Sequence, residues 1–578
     1  MSITSGVSLP SHQVSRLPET HRKLPVFYAP GCALVAAFAF AFNWATGHRG
    51  IFLLDQSMIF DGGWRILQGQ TPYKDILFPF GPITFYVQAL FFQIFGVNWT
   101  AIVIPACVFN CVAAMSVMRI VRLLSGGSWL LALCGGLATA VSFQAPFGTL
   151  WLEQTAVFFD LIALQAVVES LQTFGFRQIL WQTAGGASLA LAVLSKQNYG
   201  FLFIPVVLAV VATAALPDLR RALKSVMLVL IGVAAAAGIF LAWVWIFSDP
   251  AEFVHQFFVV AGKIGRSRMP LDLVTKTFFF ENALNRCQID LIGVVAGTAA
   301  LFLACSQLPG KNPENRFWTQ VAPVASLAIL LPFFRSLTQA TTLNEWQNNL
   351  AFVGLATCLG ISLIARIAGQ ISVVPIAGRG VTLRLPSART VTTGLSVAAS
   401  VWAALALATE ARAAWTRTVQ EFEKNTQFRD AVHVRGLERV LWGEPIDKTT
   451  TLADLERVAA YLSSKRGNFF VMGDSTLLYG LLGTPSPQPL LYFQPEHSFF
   501  EKDIPHLDKI VSESLTRNHV SVVVREKVTH LSENHDAYSR FPRIWAWFAS
   551  DFEHVSDFGN YEIWEQTHDD HRRTGPHF

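Results

Sequence analysis

Residues 55–82 read DQSMIFDGGWRILQGQTPYKDILFPFGP and bring acids, bases, aromatics and glycines together directly beside an apolar run. They lie between an apolar run at 27–45 and another at 101–118. Each run is close to the roughly 20 residues that cross a bilayer core, so the pattern predicts a membrane protein with polar chemistry at the membrane surface. The charged side chains of this loop are Asp55, Asp61, Arg65, Lys74 and Asp75.

The composition of the whole chain agrees with this interpretation. Of its 578 residues, 52% are hydrophobic and only 15% are charged, which is more apolar surface than a soluble domain needs. The net charge of +4 is small and the basic residues are spread over short loops, which argues against a nucleic-acid partner. The seven cysteines lie in or beside apolar runs and give neither a disulfide framework nor a zinc spacing.

Apolar windows of suitable length predict an α-helical polytopic protein with eleven membrane-spanning helices. The predicted spans are 27–45, 101–118, 129–143, 154–171, 183–194, 201–216, 225–247, 291–308, 318–334, 350–367 and 391–409. The first run is too long for a signal-peptide core, so we expect it to be retained after a cytoplasmic tail, 1–26.

The distribution of basic residues predicts the orientation of these spans, because cytoplasmic loops are enriched in Lys and Arg. The alternate loops on the N-terminal side hold Arg119, Arg122, Arg177, Arg220, Arg221, Lys224, Lys311, Arg316, Arg379, Arg384 and Arg389. Two segments on the opposite, outer face are too long for simple turns, 47–100 and 248–290. Within the first, the apolar run 83–95 predicts a helix that lies at the interface or dips into it.

An odd number of spans places the end of the chain outside the cytoplasm. The predicted transmembrane domain is therefore 27–410, and residues 411–578 have the composition of an extracytoplasmic α/β domain. Its predicted elements are helices at 415–430, 452–464 and 503–517, strands at 468–474 and 519–526, and a hairpin at 552–566 that turns at Gly559 and Asn560. The domain's role stays open between structural support and acceptor binding.

The loop 55–82 resembles the first outer loop of GT-C glycosyltransferases, the polytopic family that includes protein O-mannosyltransferases and lipid A aminoarabinose transferases. In that family an acidic residue is followed by a helix, a Gly-x-x-Pro-Tyr-x-Asp motif and an aromatic-Pro-Pro segment. This chain has Asp55, then GQTPYKD at 69–75, then Phe80-Gly81-Pro82. It departs from the pattern at Gln56, where an acid is common, and at Gly81, where a proline is common.

The resemblance implies an inverting glycosyltransferase that uses a polyprenyl-phosphate sugar as donor and a glycan, lipid or protein as acceptor. Asp55 is then the expected general base for the acceptor hydroxyl, although a loop aspartate alone is more often a helix cap. Asp75 is a second carboxylate to consider, but its place beside Pro72 and Tyr73 also suits a structural turn. By the same analogy we expect a multi-pass protein of a bacterial inner membrane.

A second resemblance to the family lies in LAVLSKQNYGF, which turns on the outer side with Lys196 and Gln197 at the membrane boundary. An ammonium group at that depth can hold the donor phosphate, but a lone lysine at a helix end is ordinarily a snorkelling anchor. Glu153, at the start of the fourth span, is a candidate to line the active cavity or an ordinary acid at a helix start. Asp160 lies two turns deeper on the same helix face.

The second outer segment contains a basic cluster, Lys263, Arg266 and Arg268, which resembles the family's loop that approaches the lipid phosphate. A cluster on the outer face runs against the positive-inside tendency. Guanidinium groups suit phosphate oxygens, while contact with anionic lipid headgroups is the competing interpretation. We also expect residues 344–347 (NEWQ) near the active face.

The sequence requires neither a nucleotide nor a metal cofactor, since it contains no phosphate-binding Gly-x-x-x-x-Gly-Lys loop and no His-Glu-x-x-His motif. A divalent cation at paired acids is compatible with it. A transporter or flippase of a lipid-linked sugar is the competing function, because intramembrane polar groups can also mark a passage. A noncatalytic scaffold that docks through the C-terminal domain is a third.

Overall fold

The structure is a computed structural model of the chain. It describes residues 28–267 except 126–127, 145–146 and 216–217, scattered positions between 324 and 416, and residues 427–567 except 444–449, 494–498 and 530–537. The predicted cytoplasmic tail, Arg268 and residues 344–347 lie outside the described residues.

Nine α-helices follow one another within residues 28–247. They are α1 (Tyr28–Gly47), α2 (Leu53–Leu67), α3 (Ile83–Phe95), α4 (Thr100–Leu124), α5 (Trp129–Ser142), α6 (Leu152–Ser170), α7 (Phe176–Val193), α8 (Gln197–Ala215) and α9 (Leu219–Phe247). Each predicted span in this part of the chain coincides with one of them, and the short apolar run at 83–95 is helix α3. Of the described helices, α1, α4, α8 and α9 are long and apolar enough to cross a membrane. The total of eleven spans stays a prediction, because the last four fall largely outside the described residues.

The helix ends fall into two groups at opposite ends of the bundle, in agreement with the predicted alternation of inner and outer loops. At one end of the bundle, Arg119 of α4 pairs with Glu169 of α6 at 2.5 Å, and the Arg122 guanidinium lies 4.4 Å from the ring centre of Tyr28 on α1. At the other end, the indole N–H of Trp99 donates to the carbonyl of Gly47 at 3.0 Å. The start of α1 and the ends of α4 and α6 thus share one face, and α2 and α3 lie on the opposite face.

The second outer segment is helical as far as it is described. Asp249 caps α10 (Pro250–Val254) by accepting hydrogen bonds from the amides of Ala251 and Glu252. A π-helix (His255–Val260) and α11 (Ala261–Ser267) continue it without a break. A two-stranded antiparallel ribbon, β1 (Val373–Pro375) with β2 (Thr382–Arg384), precedes the C-terminal domain.

The C-terminal domain is the predicted α/β unit. Its elements are α12 (Leu452–Ser464), β3 (Asn468–Met472), α13 (Leu477–Leu482), α14 (Ile504–Arg517), β4 (Val520–Glu526), α15 (Pro542–Asp551), β5 (Phe552–Phe558) and β6 (Tyr561–Gln566). The strand order is β3-β4-β6-β5, with β3 and β4 parallel and the other pairs antiparallel. The hairpin turns at Gly559, whose φ of 58° suits glycine.

One predicted element of this domain is wrong at its end. The sequence predicts a helix over 415–430, but residues 427–430 are not helical and an irregular segment follows them. In that segment Ala431 and Leu441 form an antiparallel bridge, and the amide of Gly50 donates to the carbonyl of Leu441 at 2.8 Å. The carbonyl of Asp430 accepts a hydrogen bond from the amide of Trp442 at 2.7 Å, so this backbone group pairs across the irregular segment and not within a helix.

The domain packs directly on the first outer loop. A single hydrophobic cluster contains Phe60 and Trp64 of α2 together with Leu477 and Tyr479 of α13. Gly480 lets the two helices approach closely, since a Cβ atom there would lie 2.8 Å from the ring of Phe60. The indole N–H of Trp64 also donates to the carbonyl of Thr484 at 3.0 Å. The loop with the predicted base is therefore enclosed between the helix bundle and the α/β domain.

Candidate active site

Asp55 lies in the first turn of α2 and is half-buried. A negatively charged side chain in the first turn interacts favourably with the partial positive charge of the helix N-terminus. The next residue, Gln56, fixes the start of the helix, because its Oε1 accepts a hydrogen bond from the amide of Phe52 at 2.7 Å. Gln56 therefore fixes the geometry of the helix start that carries Asp55.

Gln56 also ties this helix to the loop before α6. Its Nε2 donates to the carbonyl of Phe147 at 3.1 Å and to the hydroxyl of Thr149 at 2.9 Å. An acid at this position could accept the Phe52 amide hydrogen but could not donate to those two oxygens. The departure from the family's second acid thus has a structural reason in this chain.

A fully buried ion pair holds α2 against the C-terminal domain. Nε of Arg65 lies 2.8 Å from Oδ2 of Asp61, and neither side chain has exposed surface. The same guanidinium donates to the carbonyl of Gln488 at 2.7 Å, to the carbonyl of Leu490 at 3.2 Å and to the hydroxyl of Ser486. Burial raises the pKa of Asp61 to about 6, and the charge of Arg65 acts in the opposite direction. Arg65 thus links the helix to the segment 486–490.

The motif GQTPYKD forms a tight turn. Tyr73 has a φ of 64°, is completely buried, and donates its hydroxyl hydrogen to the carbonyl of Phe80. Asp75 is exposed, and its Oδ2 accepts a hydrogen bond from the amide of Thr71 at 2.8 Å. This geometry favours the structural interpretation of Asp75 over contact with a substrate.

Gly81 occupies the place where the family commonly has proline, and close packing explains the difference. A Cβ atom on Gly81 would lie 1.7 Å from the carbonyl oxygen of Leu194, at the end of α7. The amide of Ile83 donates to that same carbonyl at 3.3 Å. The first outer loop thus rests on the end of α7, beside Lys196.

A buried acid and base form the centre of the site. Nζ of Lys196 lies 3.1 Å from Oε1 of Glu153 and 4.0 Å from the ring centre of Phe80. Lys196 is 9% exposed and Glu153 is 7% exposed, so both charges are largely removed from water. The second oxygen of Glu153 has no hydrogen-bond partner among the described residues. Tyr492 of the C-terminal domain stacks on Phe80 with parallel rings 6.3 Å apart.

Gln197 connects both outer segments. Its Nε2 donates to the carbonyl of Pro79 at 2.9 Å and to the carbonyl of Phe257 at 3.0 Å. The first outer loop, the turn after α7 and the second outer segment therefore meet at one side chain.

Lys263 points toward the C-terminal domain. Its Nζ lies 3.6 Å from Oδ1 of Asp503 and 5.3 Å from the ring centre of Phe500. Burial, followed by the nearby Lys502, lowers the pKa of Lys263 below its usual range, and Asp503 opposes that shift. Arg266 lies on α11, but its side chain, like the whole of Arg268, is outside the described part of the chain. The basic cluster as a phosphate-binding group stays a prediction.

The structure thus brings Asp55, Glu153, Lys196 and Gln197 onto segments that are bonded to one another, and leaves Asp75 on an exposed turn. Sequence reasoning missed the roles of Gln56 and Arg65. For Gln56 the only sign in the sequence was its departure from the family motif, where an acid is common. Nothing in the local pattern of residues 486–492 indicates that they contact the first loop.

The described residues thus form an apolar helix bundle whose first outer loop is covered by a C-terminal α/β domain. Residues 79–246 match the model of the dolichyl-phosphate-mannose-protein mannosyltransferase family. The chain has the GT-C fold that the first-loop motif predicted.

Two solved structures share this fold over nearly the whole chain. ArnT from Cupriavidus metallidurans bound to undecaprenyl phosphate gives a TM-score of 0.56 at 14% identity, covering 96% of this chain and 100% of that one. The apo form of ArnT from the same organism gives 0.54 at 14% identity, covering 95% and 100%. A search of curated proteins gives no match.

Proposed function

We propose that this protein is a membrane glycosyltransferase that moves a sugar from a polyprenyl-phosphate donor to an acceptor outside the cytoplasm. The acceptor is a glycan, a lipid or a protein. The observation that carries the proposal is that Gln56, the neighbour of Asp55, is hydrogen-bonded to Phe147 and Thr149 in the loop that leads into α6. The first turn of α6 holds Glu153, which pairs with Lys196. The ArnT structure that contains undecaprenyl phosphate supports a donor of this class.

In the proposed step, Asp55 removes the proton from the acceptor hydroxyl. The oxygen then forms a bond to the anomeric carbon as the bond from that carbon to the phosphate oxygen breaks. The electron pair leaves with the polyprenyl phosphate, and attack from the opposite side inverts the anomeric configuration. General base catalysis of this kind typically contributes about 10²- to 10⁴-fold to a rate.

Lys196 is proposed to stabilise the phosphate as its negative charge increases. Its ammonium group is largely withdrawn from water, which strengthens electrostatic interactions. Gln197 would hold the donor-side walls together by its bonds to Pro79 and Phe257. Lys263, Arg266 and Arg268 remain the proposed outer contacts of the lipid phosphate, and Asp75 the weakest of the proposed substrate contacts.

Glu153 is proposed to bind a substrate hydroxyl. One of its oxygens faces Lys196, and the other is buried without a hydrogen-bond partner among the described residues. An unsatisfied buried carboxylate oxygen is costly, about 1–3 kcal/mol or more, so a hydroxyl donor on the substrate would relieve that cost.

We further propose that the domain boundaries follow the sequence prediction, with the bundle at 27–410 and the α/β domain at 411–578 outside the cytoplasm. Arg119 and Arg122 then face the cytoplasm, and a bacterial inner membrane is the proposed location. The predicted α3 would lie at the membrane interface, because exposed Leu90, Ile94 and Phe95 form an apolar surface on it.

The test uses membranes that contain the full chain and labelled polyprenyl-phosphate sugars. We expect the wild type to transfer label to endogenous acceptors and Asp55→Asn to lose at least about 100-fold of that rate. The matched control is Asp218→Asn, an exposed helix cap at the start of α9, which should transfer normally. Transfer by Asp55→Asn at the wild-type rate would refute the assigned base, and lipid flipping without transfer would favour the transporter.

A further inference from the structure

A polar cleft lies between the second outer segment and the C-terminal domain. Its volume is about 220 Å³, and its polar lining comes from Glu252, His255 and Gln256 on one side and Lys502, Asp503 and His506 on the other. Val260 and Leu507 add apolar surface to this lining. Drug-sized ligands occupy sites of roughly 300–1,000 Å³, so this cleft suits a ligand of about one sugar ring.

The hydrogen bonding of Gln256 is the evidence that this cleft binds a ligand. It is only 4% exposed, and its Nε2 donates to Oε1 of Glu252 at 2.7 Å. Its Oε1 is buried and has no hydrogen-bond partner among the described residues. A buried acceptor without a partner is unfavourable unless a ligand or water donates to it. The cleft therefore calls for a hydrogen-bond donor at this point.

The charges around the cleft balance one another. Glu252 and Asp503 supply two negative charges, and Lys502 supplies one positive charge at the rim. Lys263 supplies a second positive charge beside the cleft, and its Nζ lies 3.6 Å from Asp503. These four charges sum to zero, so together they give no net attraction to an anion or a cation. A divalent metal is also disfavoured, because no three His, Cys, Asp or Glu side chains of the described residues are grouped to hold one.

We propose that this cleft binds a neutral, polyhydroxylated sugar unit. Sugar hydroxyls both donate and accept, as the mixed lining requires: they donate to Gln256 and the carboxylates and accept from Lys502 and the histidines. The apolar surface of Val260 and Leu507 suits the C–H face of a sugar ring.

The cleft is connected to the candidate active site through adjacent residues. Gln256 precedes Phe257, whose carbonyl accepts the hydrogen bond from Gln197 next to Lys196. The origin of the sugar rests on the proposed function: it belongs either to the acceptor glycan or to the donor. The binding chemistry rests on the cleft itself.

The test measures saturation-transfer NMR signals of methyl glycosides of neutral hexoses and pentoses with the full chain in lipid nanodiscs. We expect at least one glycoside to bind the wild type, and Gln256→Met to lower its affinity about tenfold, the loss of one good hydrogen bond. His506 is exposed, so a larger side chain fits there without disturbing the core. His506→Trp should fill the cleft and abolish glycoside binding. Added polyprenyl-phosphate sugar distinguishes the sources, because it displaces the glycoside only if the cleft takes the donor sugar.

The matched controls carry the same replacements at exposed positions away from the cleft. Gln93→Met and His433→Trp should bind glycosides like the wild type. The proposal is overturned if no neutral glycoside binds, or if Gln256→Met and His506→Trp both bind as well as the wild type. Glycoside binding without any transfer of label would instead count against the proposed function and leave the cleft assignment standing.

Discussion

The ammonium of Lys196 and the carboxylate of Glu153 lie 3.1 Å apart, and both residues are buried. They come from the turn after α7 and from the first turn of α6, so the pair joins two helices at the outer end of the bundle. A snorkelling lysine would extend toward water. Lys196 instead lies over the ring of Phe80 in the first outer loop. The pair therefore lies against the first outer loop, the segment that resembles the GT-C motif.

Replacing Lys196 should reduce transfer without removing the protein from the membrane. We expect Lys196→Met to lower kcat/KM about 100-fold, since it removes a buried charge that would stabilise the departing phosphate. The measurement is the rate of label transfer per molecule of purified protein. Lys224→Met, an exposed lysine on α9, is the matched control. A normal rate per molecule for Lys196→Met, with only a reduced protein yield, would show that Lys196 is an anchor.

Gly81 should tolerate no side chain. Gly81→Ala would place a methyl group 1.7 Å from the carbonyl oxygen of Leu194, so the first loop must move away from the end of α7. We expect a lower thermal midpoint and a large loss of transfer, because Phe80 next to it contacts Lys196. Gly238→Ala in α9 is the control, since a Cβ there meets nothing within 4 Å. Equal stability of the two variants would contradict the packing argument.

Breaking the pair of Asp61 and Arg65 should loosen the C-terminal domain. Arg65→Met leaves the Asp61 carboxylate buried without its partner, a change that typically costs about 3–5 kcal/mol. We expect faster proteolysis between the bundle and the domain and a lower thermal midpoint. The double variant Asp61→Leu/Arg65→Met should recover part of this loss, because no buried charge is then left alone. Arg220→Met, at an exposed site, should leave both measurements unchanged.

Glu526 should make the domain's stability depend on pH. It lies at the end of β4, where its two oxygens accept the amides of Asp474 and Ser475 at 3.0 and 2.9 Å. Burial, followed by the charge of Asp474, raises the pKa of Glu526 to about 8 from 4.5. A carboxyl whose pKa is higher in the folded state stabilises the fold most at low pH, and that contribution is lost as pH rises through the folded pKa.

The free energy of unfolding should therefore fall by about 3 kcal/mol between pH 5 and pH 8 through this residue. Thermal unfolding over this range measures the slope. Glu526→Gln cannot ionise and should give a flatter dependence, while Glu513→Gln, exposed on α14, should keep the wild-type slope. A variant of Glu526 with an unchanged slope would show that another group is responsible.

Sequence patterns were sufficient for most of the described helices and strands because hydrophobic periodicity is local. The run 83–95 predicts α3 to the residue, and the alternation of apolar side chains in HVSVVVRE predicts β4 within one residue. The predicted helix 415–430 was wrong at its end, where the carbonyl of Asp430 pairs with the amide of Trp442 and the neighbouring Leu441 pairs with Gly50, far away in the chain. Propensity contains no information about such a partner.

The sequence by itself determined that this is a polytopic protein, roughly where its first membrane helices lie, and which acid of the first outer loop matches the family motif. These properties depend on residue type and spacing along the chain. Tertiary structure decided which polar groups meet: Gln56 with Phe147 and Thr149, Lys196 with Glu153, and Arg65 with the segment 486–490. Such contacts join residues separated by about 40 to more than 400 positions, and only packing in a low-dielectric interior makes them form. The role of Asp55 is thus proposed from a motif, whereas its surroundings follow from the fold.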